Sequence, residues 1–341
     1  MNVHIVRCDN NEVTDFYLDM IDNALKKANT KKGEEYSSDN ILKIEQAFEH
    51  DKTDFYIVAT SLVALKLLIR GYRNIILWFQ GINPEESYMR NGSRMRYYIL
   101  SIIEKYVLKR VSFIILVSNE MISHYEKKYK LHISEKNSMV IPCFNDKLDI
   151  ESFDKTEKYT NNRFCYVGST AKWQKFDTII SLYKEFEKSL ENCNLLVLTG
   201  DVEGAKKIIN EKGIKNYCIK HVKPEEVAHE ISNCKFGFII RDNCAVNRVS
   251  TPTKISNYLA SGVIPVFSSC ICDFAELSKE MKYAVRVMDY NNSEEVLALL
   301  GNLHTVNVAE IKKEYQEVFS KYYNDAIYID KLALKFQERL F

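Results

Sequence analysis

Basic side chains that follow short apolar runs are the clearest candidates for chemistry in this chain. Arg241 closes the run Phe236–Ile240, which reads as a buried strand. A guanidinium at a strand end offers a planar fork of donors that suits phosphate oxygens. Arg248 lies on the polar loop that follows. Pro252 then opens a helix with Thr251 as the expected N-cap, and Gly262 closes it before another strand, Val263–Phe267. A helix start beside a parallel sheet presents unpaired N–H groups and partial positive charge, here from Ser250, Thr251 and Thr253. Lys254, in the first turn, opposes the helix dipole and is easier to understand with an anion beside it. A second group follows the run Phe164–Val167: Gly168, Ser169, Lys172 and Lys175. Glycine lets backbone approach a ligand closely, and two lysines three apart on an opening turn can share one anionic target. The plainer alternatives are an Arg241–Asp242 pair and ordinary surface lysines.

The elements that must position these residues are legible as alternation. Expected strands in the first half are Val3–Val6, Asp54–Ala59, Asn74–Phe79, Ser112–Val117 and Met139–Pro142. In the second half they are Phe164–Val167, Leu195–Thr199, Tyr217–His221, Phe236–Ile240, Val263–Phe267 and Tyr283–Val287. Helical patterns lie between them, among them Leu62–Ile69, Arg94–Arg110 and Glu120–Lys130. Residues 29–53 are charged and poorly periodic and are expected to form a helix flanked by loops. The polar segment 144–162 reads as a linker, long for a connection inside one domain. Two runs of βα units give an α/β class with two doubly wound, Rossmann-like domains, residues 1–143 and 163–320. A ligand is expected in a central crevice, facing the carboxyl ends of the strands.

Composition narrows the function. The 341 residues are 27% charged and 46% hydrophobic with net charge +1, a globular and not a disordered balance. A net charge so near zero offers no argument for nucleic acid. No apolar run approaches the roughly 20 residues of a membrane span, and the N-terminus reads as a strand, not a signal peptide. The nine cysteines form no framework and suggest free thiols in a reducing cytoplasm. Cys270 and Cys272 lack a second ligand pair, so no metal site is expected. There is no Gly-x-Gly-x-x-Gly and no P-loop. The helix from Arg94 carries Arg96, Lys105, Lys109 and Arg110 among apolar residues. It reads first as a core helix with charged ends and second as one resting on an anionic membrane.

The run Pro252, Lys254, Asn257-Tyr258-Leu259-Ala260, Gly262 and Pro265-Val266 resembles the donor segment of retaining family-four GT-B glycosyltransferases. The resemblance covers most of the chain. It includes Trp78-Phe79-Gln80-Gly81 with Pro84-Glu85-Glu86-Ser87, the strand ending at Ser118, and residues 164–177. It implies transfer of a sugar, with retention and without metal or other cofactor, from a nucleotide sugar (a UDP-sugar is favoured) to a glycan or lipid-linked acceptor. The expected setting is surface polysaccharide assembly in the cytoplasm, with peripheral contact at the inner face of the membrane allowed and no nucleic-acid partner. The resemblance makes Lys175 and Arg241 the catalytic pair on the leaving diphosphate. Gly168, Ser169, Lys172, Arg248, Ser250, Thr251, Thr253, Lys254 and Asn257 become donor contacts. Gln80 and Gly81, standing where many members have His-Gly, and Glu85 become acceptor-side residues. The final residues, 321–341, are expected to cross back to the first domain. The chain departs from the family at two positions that usually carry glutamates eight apart, which are Val249 and Asn257 here. Two alternatives follow: a catalytically silent nucleotide-sugar-binding or partner-stabilising subunit, and a nucleotide-sugar epimerase of the same fold.

Overall fold

The computed structural model describes residues 2–7, 12–30 and 41–339. It divides into two compact units, one comprising Met1–Pro142 with Asn324–Phe341 and the other Cys143–Tyr323.

The first unit is built on β1 (Val3–Arg7), β2 (Ile41–Lys43), β3 (Phe55–Val58), β4 (Ile75–Phe79), β5 (Phe113–Leu116) and β6 (Ser138–Val140). They pair in parallel in the order β2-β1-β3-β4-β5-β6. Central strands such as Ile75-Ile-Leu-Trp-Phe79 are buried along their whole length, as expected where helices cover both faces of a sheet. The last helix, Asp325–Arg339, packs on the helix Glu12–Thr30. Phe336 is fully buried against Phe113 with ring centroids 5.4 Å apart, and Lys27 meets Asp330 at 2.5 Å. The helix-and-loop reading of 29–53 needs correction. Ile41–Lys43 is an edge strand, followed by the one-turn helix Ile44–Ala47. Three residues are too few for a period-two pattern to show. Residues 31–40 of that stretch lie outside the described residues.

The second unit repeats the scheme with β7 (Arg163–Val167), β8 (Asn194–Leu198), β9 (Tyr217–Lys220), β10 (Phe236–Ile239), β11 (Ile264–Ser268) and β12 (Val285–Val287). The order is β12-β11-β10-β7-β8-β9, again all parallel. Its first strand, β7, lies between β8 and β10, so the chain reverses its direction of winding there. Ligands of open parallel sheets bind beyond the carboxyl ends of strands at such a switch point. Gly168 follows β7 and Arg241 follows β10, so two candidate residues leave the two strands that flank it. The core beneath is aromatic, with Phe164 stacked on Phe236 and Phe238 at 5.2 and 5.3 Å.

The segment 144–162 is not a free linker. It belongs to the second unit and carries two short 3-10 helices, Ile150–Asp154 and Thr156–Tyr159, the first capped by Asp149. Phe153 and Tyr159 are buried. The Lys158 ammonium donates to the carbonyls of Ser152 and Ser261 at 2.9 and 2.7 Å, and the Tyr159 hydroxyl donates to that of Gly262 at 2.9 Å. Gly262 has φ +66°, and a Cβ there would lie 2.8 Å from both groups, so a side chain is excluded sterically as well as by conformation. The turns are too short for helical periodicity, which is why the segment reads as loop.

Candidate functional site

The helix Thr253–Ala260 carries the centre of the site. Its Tyr258 is fully buried on the sheet at the switch point. The hydroxyl accepts from Val167 N at 3.2 Å, at the end of β7, and lies 3.4 Å from the carbonyl of Phe238 in β10. The ring fits because residue 237 is glycine: a Cβ there would lie 2.5 Å from a ring carbon. One turn earlier on the same face stands Lys254, which is therefore delivered over Gly168. A Cβ on Gly168, whose φ is +144°, would lie 2.3 Å from the Lys254 ammonium. The ammonium also sits 4.9 Å from the Tyr166 ring centroid.

Arg241 enters from the end of β10. It is 7% exposed, its backbone N–H donates to Ser268 Oγ at 2.9 Å, and its Nη1 donates to the Trp173 carbonyl at 3.1 Å. Both cations then converge on one neutral atom. Arg241 Nη1 and Lys254 Nζ each donate to Gln174 Oε1 at 2.6 Å. Among the described residues neither has an ion-pair partner. Burial pushes both down from their usual values, Lys254 well down, with the neighbouring Arg241 charge a further cause for the lysine. Two desolvated cations around an uncharged acceptor make a place where an anion is strongly favoured.

Lys175 stands at the rim. It adopts a left-handed conformation, φ +54°, between the 3-10 turn Lys172–Gln174 and the helix Phe176–Ser189. Its ammonium pairs with Asp242 Oδ1 at 3.1 Å and lies 5.4 Å from the Tyr290 ring centroid. The Tyr290 hydroxyl donates to the same carboxylate oxygen at 2.5 Å. Partial burial raises the Asp242 carboxyl, but Tyr290 and Lys175 outweigh it and hold it below the ordinary range, while that hydrogen bond pushes Tyr290 up to about 12. The pair with Asp242 therefore forms through Lys175 and not through Arg241.

Other expected donor contacts are placed differently. Lys172 is exposed, and the exposed Ser169 offers its carbonyl to the Tyr166 hydroxyl at 2.7 Å. Arg248 lies not on a loop but in the short helix Ala245–Val249, too short for a helical period to show, and its Nη1 donates to Asn243 Oδ1 at 3.1 Å just ahead of that helix. Ser250 Oγ donates to the Asn247 carbonyl, and the Thr253 carbonyl accepts from Ser256 Oγ, both at 2.8 Å. Thr251 is not the N-cap, a position that falls to Pro252, which has no side-chain donor or acceptor. Thr251 Oγ1 instead accepts from Cys143 N at 2.9 Å. Asn257 reaches Asn145 at 3.1 Å and also Asp146. Val249 is 2% exposed, so the usual position of a glutamate is here a buried apolar one.

In the first unit, Gln80 is exposed and donates to Thr14 Oγ1 at 3.3 Å, and the Gly81 carbonyl accepts from Tyr125 at 3.3 Å. Glu85 is not turned outward as a free carboxylate. Its Oε1 takes Lys128 at 2.8 Å, His124 at 3.2 Å and the Tyr97 hydroxyl at 3.4 Å. Burial raises this carboxyl, but His124 and Lys128 outweigh it and hold it low. Beneath it Glu104 is fully buried and accepts from Tyr129 at 2.6 Å and Tyr125 at 3.2 Å, and burial pushes its carboxyl up to about 7.

Sequence reasoning missed Gln174, Asp242 as the Lys175 partner, and Tyr290. Gln174 lies between two lysines that attract attention, and its uncharged amide gave no signal. Tyr290 reaches the site only because β12 and β11 extend the sheet beside β10, which no local pattern reveals.

No protein-family profile and no curated protein sequence matches the chain. Solved structures do. HepE of Anabaena, in complex with UDP and glucose, superposes with a TM-score of 0.68 at 11% identity, covering 99% of each chain. The E. coli trehalose-6-phosphate protein bound with UDP-2-fluoro glucose gives 0.65 at 12%, covering 100% of this chain and 99% of that one. S. aureus TarM gives 0.59 at 11%, and the match spans 86% of this chain but only 57% of TarM. At such identities the likeness is one of fold. The chain has the GT-B fold, with two parallel six-stranded sheets.

Proposed function

We propose that the chain is a glycosyltransferase that takes a sugar from a nucleotide diphosphate-sugar, a UDP-sugar in the first instance. The observation that carries this reading is the convergence of Arg241 and Lys254 on one neutral acceptor at the switch point. A diphosphate placed there would supply the missing negative charge and displace the Gln174 amide. As the glycosidic bond breaks, charge grows on the leaving phosphate. Fixed cations in a desolvated site stabilise that charge without reorganisation. Lys175, held by Asp242 and Tyr290, would add a third positive group at the rim, so the field needs no divalent ion. Gly168 leaves this space free of a Cβ, which would collide with the Lys254 ammonium.

The finer reading is transfer with retention to a glycan or lipid-linked acceptor in surface polysaccharide assembly. A lipid-linked acceptor would bring a cytoplasmic protein to the inner face of the membrane. A second reading, a nucleotide-sugar-binding subunit without activity, is favoured by the buried Val249, which leaves no carboxylate at that point. Two measurements separate them. UDP at 100 times its dissociation constant should stabilise the chain by roughly 2.7 kcal/mol, with chelator present. UDP-sugars incubated without acceptor should release free sugar slowly. Stabilisation without release supports the silent subunit. No stabilisation by any nucleoside diphosphate defeats both.

A further inference from the structure

The helix Arg94–Leu108 has two apolar faces, and only one is in the core. Leu100, Glu104, Val107 and Leu108 are buried against the unit. Met95, Tyr98, Ile99 and Ile102 are 73%, 64%, 50% and 70% exposed. Their spacing, i, i+3, i+4 and i+7, makes a continuous stripe on the opposite side. This corrects the reading of the helix as a core helix with charged ends.

The stripe does not stand alone. The helices Ser61–Ile69 and Asn83–Asn91 both pack on this one. They add exposed Leu62 and Ile69, and Tyr88 and Met89. The Tyr88 and Tyr97 rings, 6.0 Å apart, join the two neighbouring helices. Four apolar side chains exposed on one helix and four on its neighbours exceed the scattered residues usual on a soluble surface.

The charge around the patch is of one sign. Every exposed charged side chain between Ser61 and Arg110 is a lysine or an arginine. The acidic residues of that stretch, Glu85, Glu86 and Glu104, are half-buried or buried. At about 100° per residue, Arg94 and Lys105 fall on one side of the stripe and Arg96 on the other, and Lys109 and Arg110 follow in the turn that ends the helix. The chain as a whole is nearly neutral, with net charge +1, so this segregation is local.

We propose that the exposed face of the helix Arg94–Leu108 docks on an anionic lipid bilayer, with Met95, Tyr98, Ile99 and Ile102 entering the interface and the flanking bases meeting lipid phosphates. The exposed aliphatic stripe favours a bilayer over a nucleic acid, which would engage the bases alone. The excess of one charge disfavours a second copy, whose like face would repel it. Interfacial binding combines buried apolar area with attraction to anionic headgroups. The inference is independent of the donor site.

The test is co-sedimentation of the full chain with vesicles of phosphatidylcholine alone and of phosphatidylcholine and phosphatidylglycerol in equal parts. The protein should partition onto the anionic vesicles and far less onto the neutral ones, and salt should weaken binding. Each base near the surface strengthens binding about fivefold, so Arg94→Gln/Arg96→Gln should lose roughly 25-fold. Ile99→Ser/Ile102→Ser should lose about tenfold or more. Unchanged melting temperatures and unchanged stabilisation by UDP would show that neither variant has disturbed the fold or the nucleotide site. The proposal is overturned by absence of partitioning, by equal partitioning onto neutral vesicles, or by undiminished binding in either double variant. Tighter binding to a duplex RNA probe than to the anionic vesicles would also overturn it.

Discussion

Arg241 and Lys254 share a single acceptor, the side-chain oxygen of Gln174, each at 2.6 Å. They come from different elements, the end of β10 and the first turn of the helix Thr253–Ala260, yet both are spent on one neutral atom. Gln174 thus meets both cations with an uncharged atom, at the point where the proposed diphosphate would place charged ones.

Replacing that atom by a charge should expose its role. Gln174→Glu supplies an internal anion to both cations. It should raise the melting temperature of the free protein and weaken UDP binding by tenfold or more, since charge-assisted hydrogen bonds contribute about 1.5–3 kcal/mol. Calorimetry measures both quantities. Wild-type affinity in Gln174→Glu would mean that UDP does not use this space.

Lys254→Met should move stability and binding in opposite directions. The variant keeps an unbranched side chain and removes a desolvated charge next to Arg241, so the free protein should gain about 1 kcal/mol or more. UDP stabilisation should largely disappear. A lysine serving only the fold would show a loss of stability instead.

Lys175→Ala should act on rate more than on affinity. Its ammonium is at the rim and partly exposed, so folding stability should change little. Loss of a donor to developing charge costs roughly 10²–10³ in turnover. Arg241→Ala should show the same loss of turnover with an added stability cost from its burial. Near wild-type turnover in either variant removes that residue from the reaction.

Glu104 should give the first unit a stability that declines with pH. Its folded carboxyl titrates at about 7, above the ordinary 4.5, because burial disfavours the anion. The folded state therefore holds more protons than the unfolded state between those values. The contribution is fully present below about 4.5 and is lost as pH rises through 7. It is of the order of 3 kcal/mol. Denaturant titrations across this range should show a steeper decline in the wild type than in Glu104→Gln, which should be the more stable protein at pH 8. Parallel profiles would count against the buried-acid account.

Gly237→Ala tests the mounting of the site. The added methyl would lie 2.5 Å from the Tyr258 ring, within β10 where the backbone cannot retreat. Overpacking of this kind costs about 1–3 kcal/mol. UDP stabilisation should fall as well, because Tyr258 sets the height of Lys254. A stability loss with full UDP response would separate the two residues.

The fold was legible because each βα unit carries its own signal. Runs such as Ile75–Phe79 and Phe236–Ile239 are apolar throughout, as strands covered on both faces must be. Ile41–Lys43 was invisible because three residues hold no period. Of the candidate site, the sequence pointed to the groups whose charge is conspicuous, Arg241, Lys254 and Lys175, and the structure places the first two on one acceptor with the third nearby. It could not disclose Gln174, whose importance comes from position and not from type. Nor could it tell that Thr251 and Asn257 would be engaged by Cys143, Asn145 and Asp146, more than a hundred residues away in sequence.

The clamp on Gly262 has a consequence for genetics. Lys158 and Tyr159 hold the turn that ends the helix bearing Lys254, so that helix is fixed at its far end by a stretch about a hundred residues away in sequence. A screen for inactive alleles should therefore return substitutions at Phe153, Lys158 and Tyr159 alongside those at Arg241. The two groups would separate on cooling: alleles of the clamp should regain activity at low growth temperature, and alleles of the cations should stay null at every temperature.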